Sequence, residues 1–244
     1  MSNLSDSSLN DWAVILAAAT NALIDNKIDN ENELSELSEF IDDLWAKRNR
    51  LNDWGGRAYL IDAMVNTLWV KKFIEPEQVC KIFKEKILNA INGIRSNPLR
   101  VLSSAIAYSR LASVGGADCG IDLKQEITEL IKTLEGADQA AWLRDEQLIE
   151  YLRRYGLVKP EDALRRLINE DLSHLYHAIG KLSVDNADLD DAIENFEKAR
   201  NDSKDLEDWP NYIISYGKLV RAKVLRSSSI DEFIRVGKEF GGCF

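Results

Sequence analysis

The chain has 244 residues, of which 45% are hydrophobic and 30% are charged, and its formal net charge at pH 7 is −10. With only 4 prolines and 13 glycines, it favours helices over a many-stranded sheet, which would need frequent turns. The acidic balance argues against a broad nucleic-acid or anionic-membrane surface, because both ligands require a basic face.

An apolar run at residues 13–19 predicts a buried first helix. A secretory signal needs a basic region before such a run, but Asp6 and Asp11 precede it and the first basic residue is Lys27. No window is long and apolar enough to span a bilayer. We therefore expect a cytoplasmic protein that does not enter membranes.

The three cysteines, Cys80, Cys119 and Cys243, are odd in number and far apart in the sequence. Their spacing matches neither a disulfide framework nor a zinc knuckle. We expect reduced thiols, as in a cytosolic protein.

Apolar residues recur every three or four positions through most of the chain, which is the period of an amphipathic helix. Two such faces are formed by Leu34, Leu37, Ile41 and Leu44, and by Leu123, Ile127, Leu130 and Leu134. No segment alternates with a period of two, so we predict no strands. Short breaks divide the chain into about twelve helices, and short connections favour antiparallel neighbours.

Several helix starts look alike. Pro76 and Pro160 each stand in a predicted first turn and are followed by acidic residues, which favours the positive end of the helix dipole. Acidic pairs also open the helices near residues 190 and 231, and the run 208–210 ends one helix and begins the next. A repeated start of this kind indicates stacked helical pairs.

Residues 173–206 combine large and small side chains at fixed steps. The positions are Tyr176, Ile179, Gly180, Ala192, Phe196 and Ala199. This pattern resembles a tetratricopeptide repeat, a pair of antiparallel helices in which small residues allow close approach. Ala187 and Asp188 stand at the family's Gly-Asp turn, whereas Ser183 and Lys204 depart from its aromatic and proline positions.

The resemblance implies an all-α fold in which antiparallel helix pairs stack as an α–α superhelix, a solenoid of the tetratricopeptide type. Residues 136–244 would be helical repeats, with Tyr216 and Gly217 as a weaker match to the next pair. Residues 1–135 are predicted to form helical pairs without the family signature, continuous with the second part.

The family implies a non-catalytic scaffold that binds a protein or peptide in the groove lined by the first helices. Carried onto this sequence, the groove positions are His174, His177, Lys181, Lys218 and Arg221. Cationic groups in an acidic chain would suit an acidic peptide. An ordinary solvated helix face is the alternative interpretation.

Two other functions stay open. A basic stripe for RNA or an acidic partner could be formed by Arg144, Arg153, Arg154, Arg165 and Arg166. These arginines could equally pair with Glu150, Glu161 and Asp162. A helical-bundle enzyme with an unrecognised site is the second alternative.

The sequence carries no recognisable catalytic or cofactor motif. His174 and His177 share a helix face but lack a clear third metal ligand, and the Gly115–Gly120 loop lacks the ending of a phosphate-binding loop. The carboxylate pairs at residues 42–43, 190–191 and 231–232 are interpreted as solvated helix surface and not as acid–base groups. We expect no catalytic residue, no metal and no cofactor, and the six tryptophans are interpreted as core residues.

Overall fold

The computed structural model describes residues 39–40, 43–44, 46, 76–114, 119–154 and 159–241. Within these ranges the chain is helical and contains no β-strand, so the all-α prediction is confirmed there. The predicted helix at residues 13–19, most of the face at 34–44, the loops at 115–118 and 155–158 and the tail at 242–244 lie outside the described residues.

The first long described helix, α1, has three consecutive parts: Pro76–Ile82, a π-helical segment Phe83–Leu88, and Asn89–Asn92. The following helices are α2 (Asn97–Val114), α3 (Leu123–Glu135), α4 (Gln139–Trp142), α5 (Glu146–Arg154), α6 (Pro160–Asp185), α7 (Leu189–Asp205), α8 (Trp209–Arg226) and α9 (Ile230–Gly241). None of these described helices combines the length and apolarity needed to cross a bilayer.

Two similar turns reverse the chain before α7 and before α8. Ala187 and Glu207 adopt positive φ angles of 61° and 58°, the left-handed conformation that glycine usually supplies. The next residue caps the new helix, since Asp188 and Asp208 accept from backbone N–H groups three positions later. The turn predicted at Ala187 and Asp188 is confirmed, and the two turns bring α6, α7 and α8 side by side.

The largest hydrophobic core lies where α1, α2, α3, α5 and α6 meet, and Phe83, Ile127, Leu148 and Leu164 are fully buried there. A smaller cluster joins α7, α8 and α9 through Phe196, Leu219 and Val236, among others. Helix α6 occupies the centre, because it contacts α2, α3, α4, α5 and α7.

Helix α6 differs from the sequence expectation in its length. The repeat resemblance places a first helix near Ser173, whereas α6 runs unbroken for 26 residues from Pro160. Its N-terminal half is buried at Ala163, Leu164, Leu167 and Ile168, so both halves have core to pack against. One helix therefore contacts both α5 and α7, and its second half packs on α7 through Ser173 and Gly180.

Gly180 permits the closest approach between α6 and α7. A Cβ placed on Gly180 would lie 2.7 Å from Cε1 and 2.8 Å from Cδ1 of Phe196, a buried ring. A Cβ on Gly217 in α8 would meet no atom within 4 Å. The close contact expected from the family pattern therefore occurs at Gly180 and is not repeated at Gly217.

We expect Gly180→Ala to lower the free energy of unfolding by about 1–3 kcal/mol, because the new methyl group overlaps the Phe196 ring. Gly217→Ala is the matched control, and we expect it to raise stability by about 0.5–1 kcal/mol, since alanine restricts the unfolded chain. Urea unfolding followed by circular dichroism measures both. Equal changes in the two variants would contradict the close packing at Gly180.

Cys80 in α1 and Cys119, which lies just before α3, form a disulfide with their Cα atoms 5.2 Å apart. The expectation of reduced thiols is wrong for these two residues. They are 39 positions apart in the sequence, so no local spacing indicated that they would meet. Because disulfides persist in oxidising compartments, the pairing removes the thiol-based reason for expecting a cytosolic protein.

We expect denatured, unreduced protein to react with one equivalent of a thiol reagent and reduced protein to react with three, because the disulfide consumes two of the three cysteines. Reduction should also lower the free energy of unfolding by about 2–4 kcal/mol, since the bond closes a long loop. Three reactive thiols in the unreduced protein would contradict the pairing.

Candidate functional site

Three of the predicted groove residues lie on α6 and make contacts inside the protein. The Lys181 ammonium group donates to the carbonyl oxygens of Ala112 and Ser113 at the end of α2, each at 3.0 Å. A cation at that position stabilises the free carbonyl groups of a helix C-terminus. Helix α2 therefore covers the part of α6 that the family resemblance assigns to ligand binding.

The two histidines lie near polar groups of neighbouring helices, and His177 contacts two of those helices. His177 Nδ1 lies 3.2 Å from the Ser215 hydroxyl of α8, and its ring packs edge-on against Phe196 at 5.4 Å between centroids. His174 lies near Arg110 of α2, whose charge acts on it. His177 therefore connects α6 to α7 and α8, whereas the charge of Arg110 only disfavours the protonated form of His174.

Both histidines are neutral at pH 7. Burial lowers the pKa of His174 to about 3, with Arg110 and His177 adding to the effect. Burial, together with the nearby cations Lys218 and Lys181, lowers the pKa of His177 to about 4. Neither ring supplies the positive charge that the groove interpretation requires.

We expect the free energy of unfolding to fall by about 2 kcal/mol per histidine between pH 7 and pH 5. The unfolded rings bind protons below about pH 6.5, whereas the folded rings stay neutral until their lowered pKa values of about 3 and 4 are approached. Denaturant titrations at both pH values measure the fall.

The control is the double variant His174→Gln and His177→Gln, which should lose most of this pH dependence. Burial and the nearby carboxylates Asp205 and Glu135 raise the pKa of Asp202 to about 6, so protonation of Asp202 stabilises the folded protein as the pH falls. This contribution is the same in the wild type and in the variant. An identical pH dependence in the variant would contradict the assignment.

Helix α8 carries the other two predicted groove residues and has an unusual charge pattern. It contains four cations and no acidic residue in a chain of net charge −10. Lys223 and Arg226 pair with Glu197 and Asp190 of α7 at 3.0 and 2.7 Å. Lys218 is half-buried, Arg221 is exposed, and neither forms an ion pair with a described residue.

The exposed large hydrophobic side chains of the described residues all lie on α8 and α9. They are Trp209, Ile213, Ile214, Leu225, Ile230, Phe233 and Ile234. Ile213 is 66% exposed and Ile230 is 78% exposed, so these side chains lie outside the hydrophobic core and face solvent. We call the α8 part of this surface, formed by Trp209, Ile213, Ile214, Gly217, Arg221 and Leu225, the outer face of α8.

Aromatic rings continue along α8. Trp209 packs edge-on against Tyr212 at 5.8 Å, and Tyr212 stacks on Tyr216 at 6.0 Å. Trp209 is half exposed, so interpreting every tryptophan as a core residue is wrong. Tryptophan, tyrosine and arginine are the residue types that dominate binding energy at protein interfaces.

The outer face of α8 was missed by the sequence interpretation apart from Arg221. A signal was present, since apolar residues surround α8 on nearly all sides. A helix with that pattern is normally buried on all sides. Burial of Ser215, Leu219 and Ala222 uses one side of α8 and leaves the other exposed.

The predicted arginine stripe is largely neutralised. Arg165 pairs with Asp162 at 3.1 Å, Arg166 with Glu170 at 2.8 Å, and Arg153 with Glu150 at 3.9 Å. Arg144 is exposed, and the side chain of Arg154 lies outside the described residues. Helix-surface ion pairing is therefore the better interpretation for three of the five arginines.

A polar cleft of about 190 Å³ lies between α3, α6 and α7. The Tyr176 hydroxyl donates to Glu135 in this cleft, and Lys124 pairs with Asp191 at 2.8 Å. Burial raises the pKa of Asp191, but hydrogen bonds from Lys124 and Ser183 outweigh it and leave that pKa lowered. The charged groups of the cleft are committed to one another, which suits a structural link between helices better than acid–base chemistry.

Within the described residues, no group of three His, Cys, Asp or Glu side chains is placed to hold a metal ion. No protein-family model, curated protein sequence or solved structure matches this chain. A functional assignment therefore has to come from the surfaces and clefts themselves.

Proposed function

We propose that this chain is a non-catalytic interaction scaffold that binds a partner protein on the outer face of α8, with the exposed residues of α9 nearby. The observation that carries the proposal is the concentration of exposed large hydrophobic side chains on the last two helices. Monomeric proteins seldom expose apolar patches of this kind unless a partner covers them.

The proposal includes stacking of α6–α9 in the manner of tetratricopeptide repeats. Successive contacts from α6 to α7, α7 to α8 and α8 to α9 support it, as do the two similar turns at Ala187 and Glu207. The close contact of Gly180 with Phe196 matches the packing for which the family uses small residues. Because α2 occupies the corresponding surface of α6, the binding surface would be displaced to α8.

The contacts behind α8 suit a rigid binding platform. The ion pairs of Lys223 and Arg226 and the contact of Ser215 with His177 fix its inner side to α6 and α7. The aromatic residues and Arg221 on the same helix are typical hot-spot types. A partner that covers this helix would therefore meet a surface that does not need to be ordered first.

The proposal is tested by site-specific photocrosslinking in the native host, with a photoreactive amino acid at position 213. The matched control carries the same amino acid at position 161, where Glu161 is exposed on α6. We expect a discrete crosslinked partner at position 213, and loss of that product when Ile214→Asp and Leu225→Asp are added.

Circular dichroism of the crosslinking variants establishes that they remain folded. Equal crosslinking at positions 213 and 161, or no product at position 213, would refute a binding surface on α8.

A further inference from the structure

We infer that the docking element of the partner is an acidic amphipathic helix that lies along the outer face of α8. The inference rests on the proposed function and adds the chemistry of the partner. It places carboxylate groups opposite Lys218 and Arg221 and apolar side chains opposite Ile213, Ile214 and Leu225.

The spacing of residues on α8 supports a helical ligand. Ile214, Lys218, Arg221 and Leu225 follow one another at steps of four, three and four, so they form one line along the helix. The line is about 16 Å long at a rise of about 1.5 Å per residue. An apolar residue at each end and cations between them match a ligand that alternates apolar and acidic groups with the same steps.

Gly217 lies beside this line and leaves a gap in the surface. It is exposed, and apart from its chain neighbours and the backbone of its own helix, no atom lies within 4 Å of where its Cβ would stand. A partner side chain can therefore reach the backbone of α8 between Ile213 and Arg221. The α8 backbone is already hydrogen-bonded within its own helix, so an added β-strand has no free edge to bind.

Charge decides between an acidic and a basic ligand. Two of the four cations of α8 pair with carboxylates of α7, which leaves the half-buried Lys218 and the exposed Arg221 without a described counter-ion. A basic helix would meet like charges there. An acidic helix would neutralise them at a place where the otherwise acidic chain does not repel it.

A second copy of the chain is a poorer occupant. A symmetric dimer through this face would bring the same patch from both subunits together. The patch carries cations and no acidic residue, so it is not complementary to itself.

Two synthetic peptides of about 20 residues test the inference, a length that permits a stable helix. Both carry leucines at steps of three and four, and the flanking positions are glutamates in one and lysines in the other. Fluorescence anisotropy with the full-length protein should show at least about tenfold tighter binding of the glutamate peptide, with the difference shrinking at high salt.

The variant Lys218→Glu with Arg221→Glu should reverse this preference. The matched control, Lys132→Glu with Arg165→Glu, reverses the same number of charges on α3 and α6 and should leave the preference as in the wild type. Equal affinity for both peptides, no binding of either, or a preference unchanged by the α8 variant would overturn the acidic helix.

The remaining outcomes separate this inference from the proposed function. A partner crosslinked at position 213 together with no peptide preference would leave the scaffold standing and refute only the acidic ligand. Self-association that Ile213→Asp abolishes would show that a second copy of the chain, and not an acidic helix, covers the outer face of α8. A crosslink from position 213 to another segment of the same chain in the free monomer would show that this segment, and not an acidic helix, covers the face.

Discussion

The contact between Gly180 and Phe196 is the interaction on which the arrangement of the last four helices depends. Because Gly180 has no side chain, the Phe196 ring lies directly against the backbone of α6. The same ring packs against His177 and joins the cluster that contains Leu219 of α8 and Val236 of α9. One aromatic side chain therefore sets the separation of α6 and α7 and supports the helices that follow.

The contacts on the side of α6 that faces away from Phe196 explain why the exposed apolar surface lies on α8 and not on α6. The end of α2 receives Lys181, and α6 also contacts α3, α4 and α5, so residues 171–184 of α6 include no exposed side chain. None of the described helices covers the outer face of α8 in this way. An apolar and cationic surface that would be enclosed on α6 is open on α8, and that is where we propose that a partner binds.

Local features of the sequence predicted local features of the fold. Pro160 and Asp208 marked helix starts correctly, and the burial of Ala192 and Phe196 agrees with their helical spacing. Contacts between distant residues could not be predicted in this way. The pairing of Cys80 with Cys119 and the contact of Lys181 with Ala112 depend on how the helices pack. The exposure of Trp209 depends on which helix surfaces this packing leaves uncovered.

The most direct measurement uses the two glycines as reporters of the two surfaces. Protein labelled with nitrogen-15 at glycine is titrated with the glutamate peptide, and the amide resonances of Gly180 and Gly217 are followed. Gly217 should shift progressively and saturate, while Gly180, enclosed against Phe196, should stay in place. A saturating shift at Gly180 with none at Gly217 would show that the ligand binds along α6, and would contradict the assignment of the binding surface to α8.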